Sequence, residues 1–129
     1  MKHLLLDTHA FLWWVEGSPR IGRRARAAIA DPDRRCFLSL ASAWELAIKS
    51  SLGKLTLATP LERFIPAQIA ENHFEQLPIS IAHVSRVADL PFHHRDPFDR
   101  LLIAQALEED LDVVTADTVF TRYGVHRVW

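Results

Sequence analysis

Short apolar runs recur along the chain, and each is followed by a segment carrying helix-start signals. The first is His3–Leu6, whose Leu4-Leu5-Leu6 stops abruptly at Asp7. Cys36–Leu38, Gln76–Ile79, Leu111–Thr115 and Val125–Trp129 are further short strand candidates, the last three with polar residues among the apolar ones. Runs this short cannot make helices, and continuous apolarity without alternation marks strands buried on both faces. Such strands belong to parallel sheets, whose neighbours must be joined by crossovers, most often helical. The alternation therefore predicts an α/β fold: a central parallel β-sheet flanked by α-helices on both faces, with right-handed connections.

The helix signals fill the intervals. Thr8 is placed to cap a helix carrying Phe11, Leu12, Trp14 and Val15, which Gly17-Ser18-Pro19 breaks. Ser18 and Pro19 are then expected to start a second helix reaching about Ala30, before the turn Asp31-Pro32-Asp33. A third helix begins at Ser39 or Ser42 and stops at Gly53. Thr59-Pro60-Leu61-Glu62 has capping-box spacing with proline at the first helical position, and Pro66 is expected to limit or kink the helix it opens. Ser80 opens a helix to about Leu90, and Asp96-Pro97 opens another over Phe98–Glu109. No repeat, low-complexity tract or linker interrupts the pattern, so residues 1–129 are expected to form one domain.

Composition removes several classes. At 49% hydrophobic and 24% charged residues the chain is not of the disordered type. The lone Cys36 excludes an internal disulfide. No apolar run approaches the ~20 residues of a membrane span. The leucine run also ends too early for a signal-peptide core of about 7–15 residues. A soluble, cytoplasmic protein is the expectation.

The net charge of −1 conceals a division. Residues 1–64 carry ten basic and six acidic side chains, and residues 65–129 carry five and ten. Arg20, Arg23, Arg24, Arg26, Arg34 and Arg35 crowd into one stretch. Guanidinium groups suit phosphates, which they bind bidentately, although a solvated helix face explains the same cluster. With Arg20, Arg23, Arg24 and Arg26 on one helix, spacings of three and four put a subset on a common face for a phosphate-bearing partner.

The acids at element ends carry the most chemistry. Asp7 follows the first strand and Asp117 follows the late one in Val113-Val114-Thr115-Ala116-Asp117. In open parallel sheets, ligands sit beyond the carboxyl ends of the strands. Each Asp also serves as a helix cap. Glu45 has two readings: with Ser42 it completes a capping box, but if the helix starts at Ser39 it lies further in and faces the same crevice as Asp7. Asp96 is the N-cap if Pro97 is the first helical residue, which leaves Asp99 with the weaker structural explanation. Carboxylates converging without Cys or His would make a hard, all-oxygen site suited to Mg²⁺ or Mn²⁺, not zinc.

The motifs Leu4-Leu5-Leu6-Asp7-Thr8-His9, Ser42-Ala43-Trp44-Glu45-Leu46, His94-Arg95-Asp96-Pro97-Phe98-Asp99-Arg100-Leu101-Leu102-Ile103-Ala104-Gln105-Ala106 and Thr115-Ala116-Asp117 occur in that order. In them the chain resembles PIN-domain ribonucleases of the VapC type, toxins of toxin–antitoxin pairs. The resemblance implies that Asp7, Glu45 and Asp99 bind metal, with Asp117 as a fourth, more variable acid. It also implies supporting roles for Thr8, Thr115 and Asp96. It further implies Mg²⁺, with Mn²⁺ able to substitute, RNA as substrate, products with 5′-phosphate and 3′-hydroxyl ends, and a cognate antitoxin as inhibitor. A homodimer through the N-terminal helices is expected as the commonest symmetric assembly.

The remaining features read as structural. The histidines have no zinc-site spacing, and His93-His94 is expected to be loop surface. Trp13, Trp14 and Trp44 are expected in the core or an interface, with base stacking as the other reading. A signalling receiver would need an acid pair at the first strand end and a late lysine, but the lysines stop at Lys54. The alternatives left are a stand-alone PIN-like nuclease acting on RNA or DNA without an antitoxin, and a non-catalytic binding module.

Overall fold

The structure is a computed structural model describing residues 1–129. Five strands form one sheet: β1 (Leu4–Leu6), β2 (Cys36–Ser39), β3 (Glu75–Leu77), β4 (Asp112–Val114) and β5 (Arg127–Val128). Their order is β3-β2-β1-β4-β5 and every pair is parallel. The helices are α1 (Thr8–Glu16), α2 (Arg23–Ala30), α3 (Leu40–Ser51), α4 (Leu61–Glu71), α5 (Ile81–Asp89) and α6 (Pro97–Glu109), with a 3₁₀ turn over Thr118–Tyr123.

Alternation along the strands divides the core into two layers. Leu4 and Leu6 of β1 join Phe11, Ile29, Leu38 and Val114 on one side. Leu5 points the other way and packs with Leu102, Ile103, Val113 and Phe120. All three β1 leucines are fully buried, as a central strand covered on both faces requires. The expected α/β sheet with helices on both faces is therefore the fold.

The topology also locates a crevice. From β1 the chain moves outward through β2 to β3, then returns to the other side of β1 for β4 and β5. The reversal falls between β1 and β4, and a crevice opens beyond their carboxyl ends at such a switch point. Leu6 is level with both Leu38 and Val114, and the Asp7 N–H donates to the Val114 carbonyl at 3.0 Å. Residues 7 and 115 thus leave the sheet side by side.

Several boundaries differ from the expectation. Asp7, not Thr8, caps α1, with its carboxylate accepting from the Ala10 N–H at 2.8 Å. Helix α2 starts at Arg23, not Ser18. Ser18 is used to end α1: its N–H bonds back to the Trp13 carbonyl at 2.8 Å behind left-handed Gly17. Its hydroxyl then accepts from the Arg20 N–H. Arg20 is consequently outside the helix that holds Arg23, Arg24 and Arg26.

Gly22 caps α2 where a side chain would collide with the terminal carbonyl of Trp129, only 2.2 Å from the site of a Cβ. No capping box forms at Thr59. Pro60 itself is the cap residue, and its carbonyl receives the Arg63 and Phe64 N–H groups. Pro66 does not stop α4; it lies on the exposed side of the helix. Strand β3 ends at Leu77, before Pro78, because proline has no N–H for the ladder. No helix is long and apolar enough to cross a membrane.

Candidate active site

A cavity of about 430 Å³ opens at the carboxyl ends of β1 and β4. Asp7, Thr8, Glu45, Asp96, Asp99 and Asp117 all line it, together with His9, Trp13, Lys49 and Ala116. The acids arrive on four separate parts of the chain, with Asp96 and Asp99 sharing the start of α6, so the site exists only in the folded chain. A larger hollow of about 650 Å³ lies between α5, α6 and the 3₁₀ turn. There Arg86 and Glu108 bond to each other at 2.7 Å, which leaves no comparable concentration of one charge.

Asp7 is fixed twice over, by its place at the end of β1 and by its capping bond to Ala10. Burial pushes its carboxyl above the usual range, Glu45 adds to the rise, and hydrogen bonds from Thr115 and Ala10 oppose it. Glu45 reaches the cavity because Ser39 caps α3, its hydroxyl accepting from the Ala41 N–H at 3.0 Å. That start places Glu45 in the second turn, so the Ser42–Glu45 capping box is absent. Ser42 is fully buried instead, 3.0 Å from the Thr8 hydroxyl. Thr8 donates to Glu45 Oε1 at 2.7 Å, and Lys49 one turn on lies 3.0 Å from Oε2.

Asp96 and Asp99 divide their duties. Asp96 Oδ1 accepts from the Phe98 and Asp99 N–H groups at 2.8 and 3.1 Å, so it is the N-cap of α6. Asp99 makes no such bond, and its carboxyl is pushed up to about 7. Burial is the main cause, the charges of Asp96, Asp7 and Glu45 add to it, and His94 works against it. Asp117 caps the 3₁₀ turn through Val119 N–H, and its own N–H donates to the buried Thr115 hydroxyl at 3.0 Å.

His94 corrects two expectations. It is no loop-surface residue, and the acid cluster does have a histidine partner. Its Nε2 lies 2.7 Å from Asp117 Oδ2 and 3.2 Å from Asp99 Oδ2. The signal for it was Asp96-Pro97, which fixes the start of α6 at this edge and so brings residue 94 there as well. Trp44 is not in the core either: it is 60% exposed, with its ring edge-on to that of Phe98. Trp13 and Trp14 are partly buried against the core, with the Trp14 indole N–H donating to Asn72.

The arginine cluster is split. Arg34 forms a buried pair with Asp112, and Arg35 pairs with Glu75, both at the amino ends of the strands, opposite the cavity. Neither is placed to meet a ligand there. Arg20 lies over the Trp13 ring, and neither it nor Arg23, Arg24 and Arg26, which are exposed on α2, lines the cavity.

The hard oxygen donors, their crowding and the upward push on Asp7 and Asp99 fit a divalent cation better than any neutral ligand. Comparison with known proteins agrees in fold and sequence. A family model described as PIN domain matches residues 4–125. Ribonuclease VapC22 of Mycobacterium tuberculosis is 31% identical over 118 residues, 91% of this chain and 88% of the relative. The solved structure of VapBC2 from Rickettsia felis, bound to a DNA fragment from their promoter, superposes with a TM-score of 0.71 at 14% identity, covering 98% of each chain. A toxin–antitoxin complex from Klebsiella pneumoniae gives 0.59 at 20% identity, with 89% of this chain and 87% of that one covered. With the family match spanning nearly all of the sequence and the motifs in their expected order, the chain belongs to the PIN domain family.

Proposed function

We propose that this protein is a divalent-cation-dependent endoribonuclease, the cytoplasmic toxin of a toxin–antitoxin pair, silent while its cognate antitoxin covers the site. The observation that carries the reading is the meeting of Asp7, Glu45, Asp99 and Asp117 in one cavity at the switch point of the sheet. The relative named as a ribonuclease supports RNA as the substrate, and the toxin–antitoxin complex of the same fold supports an antitoxin.

Asp7, Glu45, Asp99 and Asp117 are the residues that would hold Mg²⁺, with Mn²⁺ as a substitute. Such a cation supplies charge neutralisation at the scissile phosphate and makes water a stronger acid. The chain's own part is preorganisation. Capping holds Asp7 in place, the Thr8 hydroxyl fixes one oxygen of Glu45, and Thr115 fixes the turn that presents Asp117. Asp96 serves by starting α6 at the right residue, since one of its oxygens already takes two backbone donors. Arg20, stacked over Trp13 of the cavity wall, and the exposed Arg23, Arg24 and Arg26 would offset the repulsion between RNA phosphates and the acids. The same acids would attract a basic side chain of the antitoxin, while Trp13 and the exposed Trp44 offer apolar anchors beside it.

The test is cleavage of a panel of structured RNAs with Mg²⁺ or Mn²⁺. Cuts leaving 5′-phosphate and 3′-hydroxyl ends are expected, lost in EDTA and in a folded Asp7→Asn variant. Cleavage that survives either change overturns the mechanism. Co-expression with the neighbouring reading frame should give a stable complex that does not cut. A neighbour that neither binds nor inhibits would leave a stand-alone nuclease.

A further inference from the structure

We propose that His94 is a positioning residue for the acid cluster: as its Nε2–H tautomer it holds Asp117 in place beside Asp99, and it does not itself bind the cation. His94, Asp99 and Asp117 lie close enough to suggest a ligand trio, with one donor atom of each within 4.8 Å of the others. The hydrogen bond on the far side of the ring argues otherwise. Nδ1 accepts the Asp96 N–H at 3.1 Å, so that nitrogen presents a lone pair and the ring proton is on Nε2. There it points at Asp117 Oδ2, 2.7 Å away, with Asp99 Oδ2 at 3.2 Å. To ligate a cation through Nε2 the ring would have to move its proton to Nδ1, against the Asp96 N–H.

The ring's position is built, not incidental. The His94 N–H donates to the Tyr123 hydroxyl at 2.7 Å, and that hydroxyl donates to the Pro91 carbonyl at 2.8 Å. The buried Arg100 donates to the same carbonyl at 2.9 Å and to Val87 and Leu90 behind it. Its guanidinium also lies 4.4 Å from the Phe92 ring centre. The segment 91–94 is therefore pinned from below by α6 and from the side by the 3₁₀ turn. The Phe120 ring meets the imidazole edge-on. Asp117 needs this help more than the other acids: it is 36% exposed and sits on a short turn, whereas Asp7 and Glu45 are buried on longer elements. A donor that bonds Asp117 while lying 3.2 Å from Asp99 holds Asp117 in one orientation beside its neighbour before any cation arrives, the usual work of a partner lying behind metal ligands.

The proposal rests on the acids holding a divalent cation, and the experiment separates the two ideas. ¹⁵N NMR of the metal-free protein, repeated with Mg²⁺, reads the His94 tautomer directly. Nε2–H in both states is expected; Nδ1–H in either overturns the assignment. Mn²⁺ affinity by calorimetry is then compared for the parent, His94→Ala, His94→Gln and Tyr123→Phe, each checked for an unchanged fold. Affinity should fall about tenfold in His94→Ala, the scale typical of losing such a partner. It should be largely restored by His94→Gln, whose amide supplies an N–H near the same point, and be partly lost in Tyr123→Phe. Parental affinity in His94→Ala overturns the proposal and leaves the cation reading intact. No Mn²⁺ binding by the parent overturns the cation reading itself.

Discussion

Replacing Asp99 by Asn should stabilise the metal-free protein at alkaline pH while destroying nuclease activity. The Asp99 carboxyl is 24% exposed and pushed from 3.8 up to about 7, chiefly by burial, then by the charges of Asp96, Asp7 and Glu45. Because the folded pKa is raised, the folded state holds a proton that the unfolded chain has already released. The associated stability is whole below about pH 4 and is lost as pH rises through about 7. A rise of that size caps the loss at roughly 4 kcal/mol, and screening of the exposed part reduces the expected effect to roughly 2 kcal/mol. Asn keeps the shape and carries no proton to lose. Thermal unfolding in EDTA should show the variant and parent diverging as pH rises from about 4.5 to about 8, reaching roughly 6–10 °C in Tm. Saturating Mg²⁺ should then raise the parent's Tm and leave the variant's unchanged, since a ligand stabilises only the state that binds it. Melting curves that stay parallel across this range, or a parent more stable than the variant at the alkaline end, would refute the account of a crowded, under-neutralised site.

Glu45→Gln should remove most cleavage at a normal Tm, because Gln still accepts from Thr8 but has no charge for a cation; near-parental rates would return Glu45 to a purely structural role. Gly22→Ala should cost about 1–3 kcal/mol, because its Cβ would fall 2.2 Å from the Trp129 carbonyl; an unchanged Tm would show that the terminus is not seated on α2. Reversing Arg23, Arg24 and Arg26 together should weaken RNA binding and flatten its dependence on salt, read from binding isotherms at several salt concentrations. An unaltered slope would make this face of α2 merely solvated.

The architecture was legible because the strands are short, apolar and buried on both sides. Leu4-Leu5-Leu6 leaves no face for water, and only a parallel sheet covered by helices uses such a run. Boundaries were less legible wherever one residue had two local uses. Ser18 is a good helix opener, yet its N–H closes the end of α1 and its hydroxyl serves Arg20. Propensity could not rank these options, because the winner depends on Gly17 turning left-handed and on Trp129 arriving at Gly22 from the far end of the chain.

At the site the same distinction decides what sequence can reveal. Asp7 and Asp117 were legible because each directly follows a recognisable strand, and strand ends map onto one edge of the sheet. Glu45 stayed ambiguous because Ser39 and Ser42 are equally good caps in isolation. Tertiary contact settles it: Ser42 is drawn inward beside Thr8, Ser39 is left to cap α3, and Glu45 gains a turn of reach. His94 escapes a sequence reading for a related reason. Its partners Asp99 and Asp117 stand at opposite ends of the α6–β4 unit, so no spacing rule on one element joins all three. What joins them is the length of α6, which carries the chain away from the edge and lets β4 bring it back. A histidine just ahead of an Asp-Pro helix start therefore faces whatever leaves the next strand, and here that is a carboxylate.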